Sequence, residues 1–458
     1  MEAAKPIEAR STEAAKPVRD IILHAFNWKY ADILASVEGI RQAGYGAILI
    51  PPPLYSDPAG DQWWQRYQPK DYRVLLSYLG GKKELEALIA ACHAGDTPLR
   101  VYADLVLNHM ANEARDDRLD FPGRDELERY RRQPDLYREN RLYGDLSTGL
   151  FTAADFNNAG EIEGAEWSDR TAVQLQNLSG LPDLRDSEWV LRQQHELVDA
   201  LLALGFDGFR VDAIKHITER MIDNIADLPE VRNKFWFGEV LTGCDQDERV
   251  FLSPFLRESW ISAYDFPLFT TIREAFAIGG SLRSLASPES EGNALPWDRA
   301  VTFVVNHDVP HNDAFRSWLL DRQDEHLAHA YILGRDGGVP LIYTDHDESR
   351  QAEDRGRWCD AWKRPDLAAM VRFHNAVHGG PMALLDASDT LLVFRRGERG
   401  IVAINKGGYD QWAEFGTWGL RNPGAYRDLI HGHELHLSGD RFRLFVPART
   451  AQMWLARA

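Results

Sequence analysis

The sequence predicts an α/β chain built as a (β/α)8 barrel, with an irregular domain inserted after the third strand and an antiparallel β-sandwich at the C-terminal end. From Arg19 onward short apolar runs alternate with amphipathic helical stretches, the signature of repeated βα units around a parallel sheet. Residues 110–186 break that rhythm with Asp, Arg, Gly and Asn and are too long for a simple loop. After about His378 the helical period disappears and short apolar strands separated by turns replace it. At 458 residues, 44% of them hydrophobic, the chain can bury one barrel-sized domain and at least one smaller one.

In chain order, residues 2–6 and 13–17 both read Glu-Ala-Ala-Lys-Pro, like the semi-rigid helical spacers used as linkers; residues 1–18 are expected to be a flexible tail. Residues 20–26 read as a buried strand, and Ile33, Leu34, Val37 and Ile40 then recur on one helical face until Gly44 stops the helix. Residues 47–50 form a second strand, 83–93 a helix ended by Gly95, and 99–106 a third strand. The rhythm resumes with a helix over 189–204, ended by Gly205, that feeds strand four at 208–212. Strands five to eight are expected at 235–239, 261–265, 301–305 and 339–343. The barrel therefore takes residues 19–109 and 187–378, the insertion 110–186, and the C-terminal domain 379–458, with strands at 391–394, 401–404, 441–446 and 452–455.

The formal charge of −18 argues against nucleic acid, whose phosphates need a basic surface. Cys92, Cys244 and Cys359 are odd in number and widely spaced, so no disulfide framework is expected. No apolar stretch is long enough to span a bilayer, and the first twenty residues hold no signal-like apolar region. A soluble monomer is expected, either cytoplasmic or secreted with its signal removed. His431, His433 and His436 suggest a metal cluster at first sight, but Gly432 between the first two reads as a hairpin turn.

In such a barrel polar residues at the C-terminal ends of strands line the active site. Strand three ends in Asp104-Leu-Val-Leu-Asn108-His109, strand four in Arg210-Val-Asp212-Ala-Ile-Lys215-His216, strand five in Gly238-Glu239, and strand seven in Asn306-His307-Asp308. Charged groups beside buried apolar runs are costly unless paired or functional. Arg210, two residues before Asp212, points to the same face of its strand and is expected to hold that carboxylate ionised.

These four segments, in this order, resemble the four signature regions of the α-amylase family, glycoside hydrolase family 13. A weaker fifth match, Leu178-Ser-Gly-Leu-Pro-Asp183, ends the insertion, and Trp63-Trp64-Gln-Arg-Tyr67-Gln68-Pro69 resembles the family's substrate-stacking segment after strand two. The resemblance implies an endo-acting hydrolase of α-1,4-glucans that works with retention through a covalent glycosyl-enzyme. It makes Asp212 the nucleophile, Glu239 the acid/base and Asp308 the carboxylate that binds ring hydroxyls. Retention needs the first two about 5–5.5 Å apart, and Glu239 is expected to keep its proton near neutral pH. His109 and His307 would hydrogen-bond the sugar, Tyr67 would stack beneath it, and Gln68, Lys215 and His216 would complete substrate binding. Trp63 and Trp64 would offer apolar faces to further glucose rings. The resemblance also implies a calcium ion between barrel and insertion, held by Asn108, Asp183 and the backbone carbonyls of His216 and Gln174. Chloride-binding relatives use the equivalents of Arg210 and Asn306 plus a basic residue near strand eight. Leu341 stands at that third position, with Arg335 as the nearest substitute, so no chloride dependence is expected. Two other functions compete: a glucan transglycosylase using the same intermediate, and a non-catalytic glucan-binding protein on the same fold.

Overall fold

The computed structural model describes residues 19–112, 124–346, 354 and 356–457; the expected tail of residues 1–18 lies outside them. Eight parallel strands close into a barrel: β1 (Ile22–Phe26), β2 (Ala47–Ile50), β3 (Arg100–Leu105), β4 (Gly208–Val211), β5 (Phe235–Gly238), β6 (Ser262–Tyr264), β7 (Ala300–Thr302) and β8 (Val339–Asp345). Each pairs with its sequence neighbours, and β1 pairs with β8 to close the ring, Ile22 opposite Leu341. The strands are buried along their length, as a sheet covered on both faces requires.

Helices α1 (Tyr30–Ala43), α2 (Lys82–His93), α3 (Glu188–Leu204), α4 (Glu219–Ala226), α5 (Ser253–Glu258), α6 (Phe266–Phe276), α7 (Arg322–Gly334) and α8 (Pro365–Val377) follow the successive strands. The helix α1 buries Tyr30, Ile33, Val37 and Ile40, one stripe at helical spacing, against the barrel. At the end of α3, Gly205 takes φ 105°, and its N–H bonds back to the last-turn carbonyls, a conformation that costs a non-glycine residue about 1–2 kcal/mol. Gly95 does not play that part for α2, which ends on extended Ala94 with Gly95 in the turn beyond.

Strand seven is shorter than its apolar run. Val301 and Thr302 pair with β8, after which the chain leaves the ladder to reach the short helix Asp308–His311. The chain departs from the barrel after β3 and returns at α3. The intervening segment contains short helices, among them Arg124–Arg132, Pro134–Glu139 and Arg170–Leu175, whose polar composition hides them in the sequence.

Beyond α8 lie eight antiparallel strands: β9 (Met382–Ala387), β10 (Leu391–Arg396), β11 (Gly400–Asn405), β12 (Gln411–Gly416), β13 (Gly424–Asp428), β14 (Glu434–Leu437), β15 (Arg441–Val446) and β16 (Thr450–Ala456). Six form a sheet in the order β9-β10-β11-β16-β13-β14, and β12 pairs with β15 as a second layer. Their shared core includes Val393, Ile401, Ala413, Tyr426, Leu444 and Trp454. The sequence reading finds four of the eight. The other four alternate a few apolar residues with exposed polar ones, and β14 follows directly on the His431–Gly432 turn. There His431 bonds Asp428 and stacks on His433. Cys92 and Cys244 are free. Among the described residues no helix is long and apolar enough to cross a membrane.

Candidate active site

The C-terminal ends of β3, β4 and β5 converge on one guanidinium. The parallel register sets Asp104 opposite Arg210, and Arg210 Nη1 lies 2.7 and 2.8 Å from the two Asp104 oxygens and 2.8 Å from Asp212 Oδ1. Arg210 Nη2 lies 2.8 Å from Glu239 Oε2. The guanidinium is wholly buried between the rings of Tyr67 and Tyr264, each centroid 5.9 Å away. Asp104 also accepts a hydrogen bond from the Tyr67 hydroxyl at 3.0 Å. Asp104 carries no assigned role in the sequence, though a carboxylate inside the apolar run of β3 marks it.

One residue past Asp212 the backbone turns sharply. Ala213 sits at φ 46°, ψ 37°, a left-handed conformation that costs an alanine about 1–2 kcal/mol. That turn sends its N–H to Glu239 Oε2 at 3.1 Å. The strain therefore links the residue after one candidate catalytic carboxylate to the other.

Three buried carboxylates, Asp104, Asp212 and Glu239, share a single guanidinium with the partly exposed Asp308 nearby, and like charges at such range cannot all ionise. Burial, reinforced by Glu239 and Asp104, pushes Asp212 up to about 8 against the pull of Arg210. Burial and the adjacent Glu239 push Asp308 well above the ordinary carboxylate range. Burial also pushes Glu239 upward. The Arg210 guanidinium, a hydrogen bond from Asp308 and the Ala213 N–H outweigh it and hold Glu239 below its ordinary value. Arg210 lies against Glu239 as well as Asp212.

These groups open into a cleft of about 740 Å³ that contains Asp212, Glu239 and Asp308. Tyr67 and His307 stack with ring centroids 4.9 Å apart, and Phe26 stacks on the same His307 ring at 4.8 Å, 6.4 Å from Tyr67. His307 Nδ1 is buried without a partner, and Nε2 lies 3.6 Å from Asp308 Oδ1; burial holds the ring neutral, its pKa well below the ordinary value. His109 lines the cleft, but its Nε2 is engaged with the Tyr67 carbonyl at 2.9 Å. Lys215 Nζ donates to the Leu241 carbonyl at 3.0 Å at the cleft wall, and His216 Nδ1 meets the Val173 carbonyl at 3.1 Å. Gln68 and Trp63 line the opening, and Trp64 is 43% exposed there. The structure adds Trp167, Phe315 and Trp318, apolar rings on the same cleft. They lie in or beside 3-10 helices too short to leave a period in the sequence.

Behind the cleft, the insertion is clamped to the end of β3. The Leu184 N–H donates to the Asn108 carbonyl at 2.8 Å, and His109 bridges Asp183. The Asn108 amide oxygen faces two further oxygens, the His216 carbonyl at 3.0 Å and Asp183 Oδ1 at 3.1 Å. Turning the amide over would let its nitrogen donate to both. Unturned, three oxygens meet with no donor between them, a donor set suited to a hard cation. Burial pushes Asp183 up to about 8, with Asn157 opposing. Gln174 is adjacent, its side chain donating to the Ile217 carbonyl at 3.0 Å. On the barrel axis, Leu341 is fully buried in the apolar interior with Ile22, Tyr264 and Phe303. Arg335 stacks on Tyr331 and faces Asp265.

A closed (β/α)8 barrel that gathers such carboxylates in an aromatic-lined cleft at its C-terminal face defines a glycoside hydrolase. A family model described as "Alpha amylase, catalytic domain" matches residues 32–239, and one described as "Alpha amylase, C-terminal all-beta domain" matches residues 383–455. The chain is 46% identical over 446 residues to an α-amylase of Aeromonas hydrophila, covering 94% of each. It is 29% identical over 449 residues to an α-amylase-related protein of Drosophila atripex, covering 90% of this chain and 86% of that one. In fold it is similar to α-amylase I of Eisenia fetida, with a TM-score of 0.75 at 22% identity and 95% of each chain covered. The chain belongs to the α-amylase family, whose members act on glucans.

Proposed function

We propose that this hydrolase cleaves internal α-1,4-glucosidic bonds of starch, glycogen and malto-oligosaccharides with retention. The observation that supports this best is the single Arg210 guanidinium in contact with both Asp212 and Glu239. In the proposed reaction Asp212 attacks the anomeric carbon while Glu239 protonates the departing oxygen. Water, deprotonated by Glu239, then releases the sugar from Asp212. Asp308, hydrogen-bonded to Glu239, holds ring hydroxyls, and the unpartnered His307 Nδ1 supplies a further polar contact. This chemistry needs Asp212 ionised and Glu239 protonated when substrate is bound.

Calcium is proposed at Asn108, Asp183 and the carbonyls of His216 and Gln174. The oxygen-only convergence supports it, and the ion's contribution there is structural, joining the insertion to β3 and to the segment after β4. No chloride requirement is proposed, since Leu341 gives that position an apolar side chain.

Asp212→Asn and Glu239→Gln are each expected to lower starch hydrolysis by at least about 10²–10⁴-fold while the melting temperature holds. Wild-type turnover in either sinks the assignment. Product profiling on maltoheptaose separates hydrolysis from transfer, because products longer than the substrate mark a transglycosylase.

A further inference from the structure

The face of the barrel opposite the cleft carries a second cluster of ligand-type side chains. Asp20 immediately precedes β1, and His374 and His378 stand one turn apart at the end of α8. Asp20 Oδ1 lies 2.9 Å from His374 Nε2, and Oδ2 lies 3.2 Å from His378 Nε2. One ligand atom from each of the three residues falls within 4.8 Å of the others.

The second nitrogen of His374 sets the chemistry. His374 Nδ1 lies 3.1 Å from the Leu333 carbonyl, which can only accept, so Nδ1 carries the hydrogen. A neutral imidazole then presents an Nε2 lone pair to the Asp20 carboxylate. Two acceptors at 2.9 Å require a positive centre between them, either an added proton or a metal ion. Metal-ligating histidines commonly have their other ring N–H tied to a carbonyl in this way.

We propose that Asp20, His374 and His378 bind a divalent transition-metal ion of the zinc class through one carboxylate oxygen and two imidazole Nε2 atoms. Two nitrogens and one oxygen form a borderline donor set, unlike the all-oxygen group at Asn108 and Asp183, so the two sites select different ions. Bonds of about 2.0–2.2 Å in a tetrahedron put ligands roughly 3.3 Å apart, a few tenths of an ångström more open than the distances from Asp20. The His378 side chain, 34% exposed, is free to adjust, and its open side admits a water as fourth ligand. Arg396, a nearby cation acting on His378, has its guanidinium committed to the carbonyls of Gly334, Arg335, Val377 and Gly380. The ion would staple the first strand to the last helix of the barrel, residues 354 positions apart in sequence.

The test uses the full chain in saturating calcium, titrated with zinc chloride by calorimetry and with cobalt(II) by visible absorption. The wild type is expected to bind one zinc ion per chain at this site, to give ligand-field bands with cobalt, and to melt at a higher temperature with zinc. His378→Ala is expected to weaken that binding at least tenfold, lose the bands and lose the thermal shift, with metal-free starch hydrolysis unchanged. His378→Gln retains a polar side chain and, as a second variant, meets the same criterion should the alanine variant fold poorly. Zinc binding of equal stoichiometry and affinity in wild type and in either folded variant, or no binding by the wild type, overturns the proposal.

Discussion

Arg210 Nη2 lies 2.8 Å from Glu239 Oε2 while Nη1 of the same group contacts Asp104 and Asp212. A planar fork can hold carboxylates from three strands at fixed spacing, whereas an ammonium is a single point charge on a flexible stem. Arg210→Lys is therefore expected to reduce starch kcat/KM by at least a hundredfold. Leaving buried carboxylates poorly compensated is also expected to cost about 3–5 kcal/mol of stability. Steady-state kinetics and urea melts measure both, and a near-wild-type rate would refute the idea that this fork aligns the site.

The acidic cluster makes stability depend on pH in a definite direction. Asp212 is raised to about 8 in the folded protein, so it binds its proton more tightly there than in the unfolded chain. Its contribution is full below the ordinary carboxylate pKa and is lost as pH rises toward 8. Asp212→Asn, which keeps the shape without the titration, is expected to flatten the fall in urea midpoint between pH 5 and pH 8. An unchanged slope would mean that the charge is relieved elsewhere.

Calcium removal has its own signature. Without an ion, burial raises Asp183 to about 8, so the chelated protein is expected to lose additional stability over the same pH range. At a hundredfold excess over Kd, a ligand bound only to the folded state contributes about 2.7 kcal/mol. Chelator is expected to lower the melting temperature of the wild type and to have little effect on Asp183→Asn. A chelated wild type that melts unchanged would remove calcium from the account.

Turnover measured in chloride-free buffer is expected to equal that in chloride, because Leu341 lies among apolar side chains. Activation by chloride would show that another cation completes an anion site beside Arg210 and Asn306.

Much of the barrel was legible in the sequence because buried parallel strands leave apolar runs and helices leave a 3.6-residue stripe. Residues 47–50 and β2 coincide, and Asp212 and Glu239 directly follow β4 and β5. What escaped was cross-strand information. That Asp104 shares Arg210 depends on the register between β3 and β4, and the reach of Arg210 to Glu239 depends on β5 lying beside β4. Neither has a spacing along the chain. The same limit explains Trp167 and Trp318, which come from short 3-10 turns, and the Asp20–His374 pair, whose members sit at opposite ends of the barrel sequence.

The pairing of Ile22 with Leu341 sets an order of events during synthesis. On a ribosome β1 emerges early, yet its β8 neighbour is made more than three hundred residues later, and until then one side of β1 is an open edge. Unpaired strand edges invite association with other chains. A nascent chain stalled before residue 339 cannot close the ring, so premature termination in this gene is expected to yield insoluble fragments instead of smaller working enzymes.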